Sequence, residues 1–83
     1  MPALYVLQSK TTGGFYIGSA QILQERLRDH QRGHSPYTRH RGPWVLVYQE
    51  NYDTLADARR RERQLKSWKS RRSIQELIAK GLD

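Results

Sequence analysis

Apolar and polar positions first alternate and then recur at helical spacing, in an order that predicts six elements. Ala3 to Gln8 mixes β-branched, aromatic and apolar residues over strand length and reads as a first strand. Thr11-Thr12-Gly13-Gly14 is a turn, and Phe15 to Gly18 is the returning strand of a hairpin. Side chains alternate across a strand, so Tyr5 and Leu7 share one face while Leu4 and Val6 share the other. Tyr16 points away from Phe15 and Ile17, so Tyr5 and Tyr16 can project from one face of the hairpin towards the next element.

From Ser19 to Gln31 the period changes. Ala20, Leu23 and Leu27 recur at spacings of three and four, the mark of one buried helix face, with Ser19 suited to the N-cap and Gly33 to the stop. Arg26 and His30, four residues apart, lie one above the other on the flank of that stripe. A polar loop from His34 to Pro43 carries Arg39, His40 and Arg41, and Trp44 to Gln49 reads as a third strand, largely buried. Thr54-Leu55-Ala56-Asp57 opens a second helix with Thr54 as N-cap, running to about Lys69. Ser73-Ile74-Gln75-Glu76 repeats that capping pattern and starts a short last helix, with Gly81 as its stop. No repeat or linker interrupts the order β-β-α-β-α-α. The expectation is one α+β domain over residues 1–83, a small three-stranded antiparallel sheet flanked by helices.

Charge adds a partner to this picture. The chain of 83 residues carries a net charge of +7, from 15 Lys+Arg against 8 Asp+Glu. The cations crowd between Arg59 and Lys80, the usual footprint of a polyanion binder, and nucleic acid is the commonest polyanion. A basic surface kept only for solubility is the plainer reading. The concentration of charge and its richness in Arg favour nucleic acid over it. Arg39 and Arg41 in the loop, and Arg60, Arg61, Arg63, Lys66 and Lys69 on the second helix, are the candidate phosphate contacts. The sequence contains no cysteine, which excludes a disulfide frame and a zinc-thiolate site. The N-terminal stretch has no basic lead and turns polar at Gln8, too short for a signal peptide or a membrane span. A soluble cytoplasmic protein without membrane contact is the expectation.

Glu62 breaks the pattern. On the second helix the inward positions are Leu55, Ala58, Glu62 and Leu65, and at 100° per residue Glu62 falls within about 20° of Leu55. A carboxylate on a core-facing stripe is costly unless it is paired or holds a metal. One reading is a structural salt bridge to Arg26 or a neighbouring Arg. The other is a ligand for a hard cation such as Mg²⁺, which needs one or two carboxylates and fills its remaining sites with water and substrate phosphate. The pattern alone does not choose between them. Taken singly, Tyr5 and Tyr16 read as core or hairpin aromatics, His30 as a satisfied polar group on a helix flank, and Trp44 and Trp68 as packing residues. His30, His34 and His40 do not form a convincing transition-metal set, and no phosphate-binding P-loop, Ser-His-Asp arrangement or zinc finger is present.

Taken together, Ala3-Leu4-Tyr5, Tyr16-Ile17-Gly18, Arg26, His30 and Glu62 resemble the motif series of the GIY-YIG nuclease superfamily. The likeness extends over nearly the whole chain. Tyr37-Thr38, the strand after Pro43-Trp44, and Glu62 followed by Lys66 and Trp68 are similar to the small stand-alone bacterial members, the UPF0213-like group. Ala3-Leu4 stands in place of the Gly-Ile of the family name, and an asparagine that some larger members carry near the domain's end has no clear counterpart after Lys66. The resemblance implies a metal-dependent endonuclease acting on DNA, with RNA not excluded. In it Glu62 would hold a single Mg²⁺ or Mn²⁺, and Arg26 would bind the scissile phosphate. Tyr5 or Tyr16 would activate or orient the attacking water, and His30 would assist proton transfer or bind phosphate. Gly18 would belong to the structural motif. A non-catalytic nucleic-acid-binding module on the same fold is the alternative, a basic protein-interaction adaptor a third, and a protein partner or weak homodimer stays open.

Overall fold

In a computed structural model, which describes residues 1–31 and 42–81, the six expected elements occur in the expected order. They are β1 (Ala3–Ser9), β2 (Phe15–Ala20), α1 (Leu23–Gln31), β3 (Trp44–Asn51), α2 (Leu55–Ser67) and α3 (Arg71–Gly81). Strand β1 lies between its two antiparallel neighbours in the order β2-β1-β3. It is the most apolar strand and is covered on both faces, with Ala3, Leu4, Tyr5, Val6 and Leu7 all buried. Its alternation splits the core in two. Tyr5 and Leu7 face α1 together with Ala20, Trp44, Leu23, Leu27 and Leu46. Leu4 and Val6 face the other way and pack with Leu65, Ile74, Leu77 and Ile78 of α2 and α3.

The hairpin turn is held by Ser9, whose hydroxyl accepts from the Thr11 and Thr12 amides at 3.1 and 3.0 Å, while Gly13 takes the φ of +75° that closes it. Against β3 the register slips between Val6 and Leu7: Val6 faces Tyr48, but Leu7 faces Leu46. This bulge inverts the alternation of β3. Trp44 and Leu46 pack with Leu7 on the α1 side, whereas Tyr48 packs with Val6 on the α2–α3 side. Only Trp44 of β3 is buried, so the expectation of a largely buried strand is corrected: it is an edge strand whose apolar residues are mostly half-buried.

Three boundaries also move. Ser19 is not a helix cap; β2 continues through Ala20, and Ser19 and Ala20 pair with Leu4 and Ala3 of the central strand. Helix α1 therefore begins only at Leu23. Thr54 does cap α2, accepting from the Asp57 amide, but α2 stops at Ser67 with Trp68 as its C-cap. Helix α3 starts two residues before Ser73, with the Ser70 hydroxyl accepting from the Ser73 amide, so Ser70 takes the capping role expected of Ser73. Gly81 is the last residue of α3. The expected helix stop at Gly33 and the loop residues His34, Tyr37, Thr38, Arg39, His40 and Arg41 lie outside the described residues.

Candidate active site

Tyr5 stands at the middle of the central strand, with its ring on the α1 face and its neighbours already packed. Opposite it on the edge strand is Gly18. A Cβ added there would lie 2.6 Å from the Tyr5 hydroxyl and 2.7 Å from its Cζ, so the absent side chain is what lets the ring lie across β2 and bring its hydroxyl to the sheet edge. Tyr16, two residues back, lies on the same face; the ring centroids are 6.3 Å apart. From α1, His30 wedges between them edge-on, 5.8 Å from the Tyr5 ring and 4.8 Å from the Tyr16 ring. Its place corrects the helix-flank reading: His30 is buried, 2% exposed. Trp44 of β3 closes the cluster, 6.4 Å from Tyr16.

One turn before His30, Arg26 lies beside the cluster, close enough to both phenols that they raise its pKa. The Tyr5 hydroxyl and His30 Nε2 share a hydrogen bond of 2.9 Å, with the Arg26 guanidinium beside the phenol. Burial pulls the His30 pKa down, and the Arg26 charge pulls the same way, so the ring is neutral near pH 7. Burial also pushes the Tyr5 phenol up to about 12, an effect that Arg26 offsets only in part. Tyr5 is therefore built to keep its proton. The Arg26 side chain is 40% exposed, and among the described residues it makes a loose contact to Asp29 at 3.8 Å.

Glu62 reaches the same strand edge from the opposite side of the sheet. Helix α2 packs on the Leu4–Val6 face, where Ser19 of β2 also points, and the Ser19 hydroxyl donates to Glu62 Oε1 at 2.5 Å. Lys66, one turn on, donates to Oε2 at 2.6 Å. The salt bridge to an Arg is thus corrected: the ion-pair partner is Lys66, whose side chain is 53% exposed. The Glu62 charge is felt at the Tyr5 hydroxyl, where it opposes loss of the proton. Five of the expected site residues, Tyr5, Tyr16, Arg26, His30 and Glu62, therefore meet around residues 16–19 of β2. The first four lie on one face and the carboxylate on the other.

The expected phosphate contacts divide. Arg60 and Arg63 are exposed on α2, Arg60 in a weak pair with Asp57 at 3.3 Å. Arg61 turns inward instead. Its Nε donates to Glu50 at 3.0 Å, both Tyr48 and Tyr52 donate to the same carboxylate, and the guanidinium lies 5.6 Å from the centroid of the Trp68 ring. It ties β3 to α2 and is not a free phosphate ligand. Lys69 has an exposed side chain in the α2–α3 turn, beyond the end of the helix on which it was expected. Sequence reasoning missed Ser19 as the partner of Glu62; its only signal was a hydroxyl next to Gly18, which was read as a cap.

A buried tyrosine–histidine pair under an arginine, with a lone carboxylate across a strand edge, is a set suited to phosphodiester chemistry. The chain belongs to the GIY-YIG family: residues 1–75 match the family described as the GIY-YIG catalytic domain. This is a nuclease superfamily whose members act on DNA and generally use a divalent metal. Among individual proteins, the chain is similar to a UPF0213 protein of Staphylococcus saprophyticus, 37% identical over 94% of each chain. A UPF0213 protein of Staphylococcus aureus is 36% identical over 75% of this chain and 77% of its own. The solution NMR structure of a UPF0213 protein from Bacillus halodurans superposes with a TM-score of 0.61 at 33% identity, covering 98% of this chain and 87% of that one. Among the described residues no helix is long and apolar enough to cross a membrane.

The donor set fits such an ion in one way only. Among the described residues no group of three or more His, Asp or Glu gathers at one point, so no all-protein cage exists. Glu62 offers a carboxylate whose Oε1 is fixed by Ser19 and whose Oε2 is held by an exposed, displaceable lysine. That suits a hard cation which takes one carboxylate and completes its shell with water and substrate phosphate.

Proposed function

We propose that this protein is a divalent-metal-dependent endonuclease that hydrolyses DNA phosphodiester bonds with low sequence specificity. The observation that carries the reading is the meeting of Tyr5, Tyr16, Arg26, His30 and Glu62 at one edge of β2. Arg26 is the phosphate anchor: it lies beside two phenols, and its part-exposed guanidinium offers a fork that matches two phosphate oxygens. A single Mg²⁺ or Mn²⁺ held on Glu62 would supply charge to offset the negative charge that builds on the phosphate as the bond breaks.

The two tyrosines take different parts. Tyr5, with its pKa near 12, holds its proton, shares a hydrogen bond with neutral His30 and lies beside Arg26. Tyr16 is half-buried at the rim, near the same guanidinium, and would be the phenol that orients the attacking water. Buried against both rings, His30 keeps them in register. Positioning and electrostatics carry most of phosphoryl chemistry, so this small set suffices.

A second reading, a nucleic-acid-binding module without turnover, is favoured by one observation: both oxygens of Glu62 are already engaged. The two readings part in a nicking assay. Supercoiled plasmid should be nicked with Mg²⁺ or Mn²⁺ and left intact in chelator, whereas the binding module gives a gel shift in both and nicks in neither.

A further inference from the structure

Beside the active edge, between β2 and the α2–α3 turn, lies an open groove of about 450 Å³. Its floor is apolar, formed by Ile17, Leu65 and Ile74, with Phe15 along one wall and Tyr16 at its edge. The lining carries three cations, Lys66, Lys69 and Arg71, and no anion. Arg71 is fixed as a wall, 4.8 Å from the centroid of the Phe15 ring and donating to the Gly13 carbonyl at 2.8 Å. Tyr16 and Lys66 belong both to this groove and to the active edge, so the two are continuous.

Lys69 supplies the second observation. It sits at φ +50°, the left-handed position after a helix end, where glycine is favoured and a side chain costs about 1 kcal/mol. Its side chain makes no hydrogen bond or ion pair among the described residues that would repay this cost within the fold.

We infer that this groove is a subsite for one unpaired nucleotide next to the phosphate that is cut, with its base on the apolar floor and its phosphate at Lys69. The inference rests on the nuclease reading and names its substrate class. An aromatic wall over an apolar floor accepts the face of any base, and the cationic rim takes the backbone. A base still paired in a duplex has its face covered by its neighbours and cannot reach the floor without leaving the stack. The preferred substrate is therefore DNA with an unpaired stretch at the cleavage point.

The test is binding in chelator, which needs no turnover. A short single-stranded oligonucleotide carrying 2-aminopurine is compared with the blunt duplex of the same sequence, against the parent protein, Lys69→Gly, Phe15→Leu and Lys80→Ala. Lys80 lies on the far side of α3 and lines a different cavity, so its variant controls for the loss of one charge. The parent should bind the single strand more tightly and change its 2-aminopurine fluorescence. Lys69→Gly should raise the denaturation midpoint while weakening single-strand binding about threefold to tenfold, and Phe15→Leu should lose the fluorescence change. Lys80→Ala should stay within about twofold of the parent. Equal binding of single strand and duplex, or equal losses in Lys69→Gly and Lys80→Ala, would overturn the subsite. Plasmid nicking with metal, measured alongside, keeps the questions apart: nicking without single-strand preference sinks only the subsite, and preference without nicking sinks only the nuclease.

Discussion

Gly18→Ala puts the packing of the site to a quantitative test. The new methyl would lie 2.6 Å from the Tyr5 hydroxyl, 2.7 Å from Cζ and 3.1 Å from Cε1 of Tyr16, and each of these contacts is too short to keep. Tyr5 cannot swing clear, because its ring is buried in the α1-facing core and its hydroxyl is hydrogen-bonded to His30. The backbone at 18 is ordinary strand, so the cost is steric overpacking, about 1–3 kcal/mol. For a domain of 83 residues that is a fall in melting temperature of roughly 4–8 °C per kcal/mol. Cleavage should suffer more than stability, since shifting Arg26 and the phenols by a few tenths of an ångström to 1 Å costs about 100-fold in rate. The assay is a double-mutant cycle with Tyr5→Leu, whose side chain ends short of the clash. In that background Gly18→Ala should cost at least about 1 kcal/mol less. A single variant within about 0.5 kcal/mol of the parent, or a cost unchanged by Tyr5→Leu, would refute the close approach as the reason for glycine.

Other expectations follow from the same contacts. Arg61→Ala should lower the urea midpoint clearly while Arg60→Ala and Arg63→Ala leave it within about 0.5 kcal/mol, because only Arg61 serves a half-buried carboxylate. The Glu50 pKa is lowered: burial pushes it up, but the bonds from Tyr48, Tyr52 and Arg61 outweigh burial. The unfolded chain then binds the extra proton first, so Glu50 contributes stability above about pH 4–5 that is lost as pH falls through its folded value, and Arg61→Ala should flatten that acid limb of a urea-midpoint titration. His30, also lowered, acts in the same direction from about pH 6.5 downward, and an NMR titration should place its imidazole below the ordinary value. Arg26→Lys should cut the nicking rate about 100-fold or more with DNA affinity within a few-fold, since the charge stays and the fork beside the two phenols is lost. DNA affinity should fall steeply with salt and depend little on sequence, and a flat salt response in a filter-binding titration would exclude the basic face as the contact surface.

Much of this fold was legible because the local signals agree with one another. The hairpin showed itself in strand alternation broken by Thr-Thr-Gly-Gly, and α2 in the Thr54 cap. The pairing of Tyr5 with Tyr16 followed from the period of two, and that of Arg26 with His30 from the period of four. Other features were hidden because tertiary contacts decide them. Ser19 has the chemistry of a cap, and only its pairing with Leu4 keeps it in the strand, where its hydroxyl meets Glu62. The bulge opposite Val6 and Leu7 reverses β3, so Trp44 and Tyr48 face opposite layers despite an even spacing. Arg61 looked like any other cation in an arginine run, and Glu50, the residue that turns it inward, is eleven positions away on another element.

The central claim, that Glu62 serves chemistry and not the fold, is tested most directly by the metal-dependent nicking rate of Glu62→Gln with its melting temperature taken on the same sample. The amide keeps the size of the side chain and can still accept from Ser19, while the charge that a divalent cation needs is gone. The lost ion pair is with a lysine whose side chain is 53% exposed, so breaking it costs little. The account predicts a melting temperature within a few degrees of the parent, DNA binding kept, and nicking abolished at every Mg²⁺ or Mn²⁺ concentration. A Glu62→Gln protein that melts lower but nicks at the parental rate in its folded fraction would contradict it.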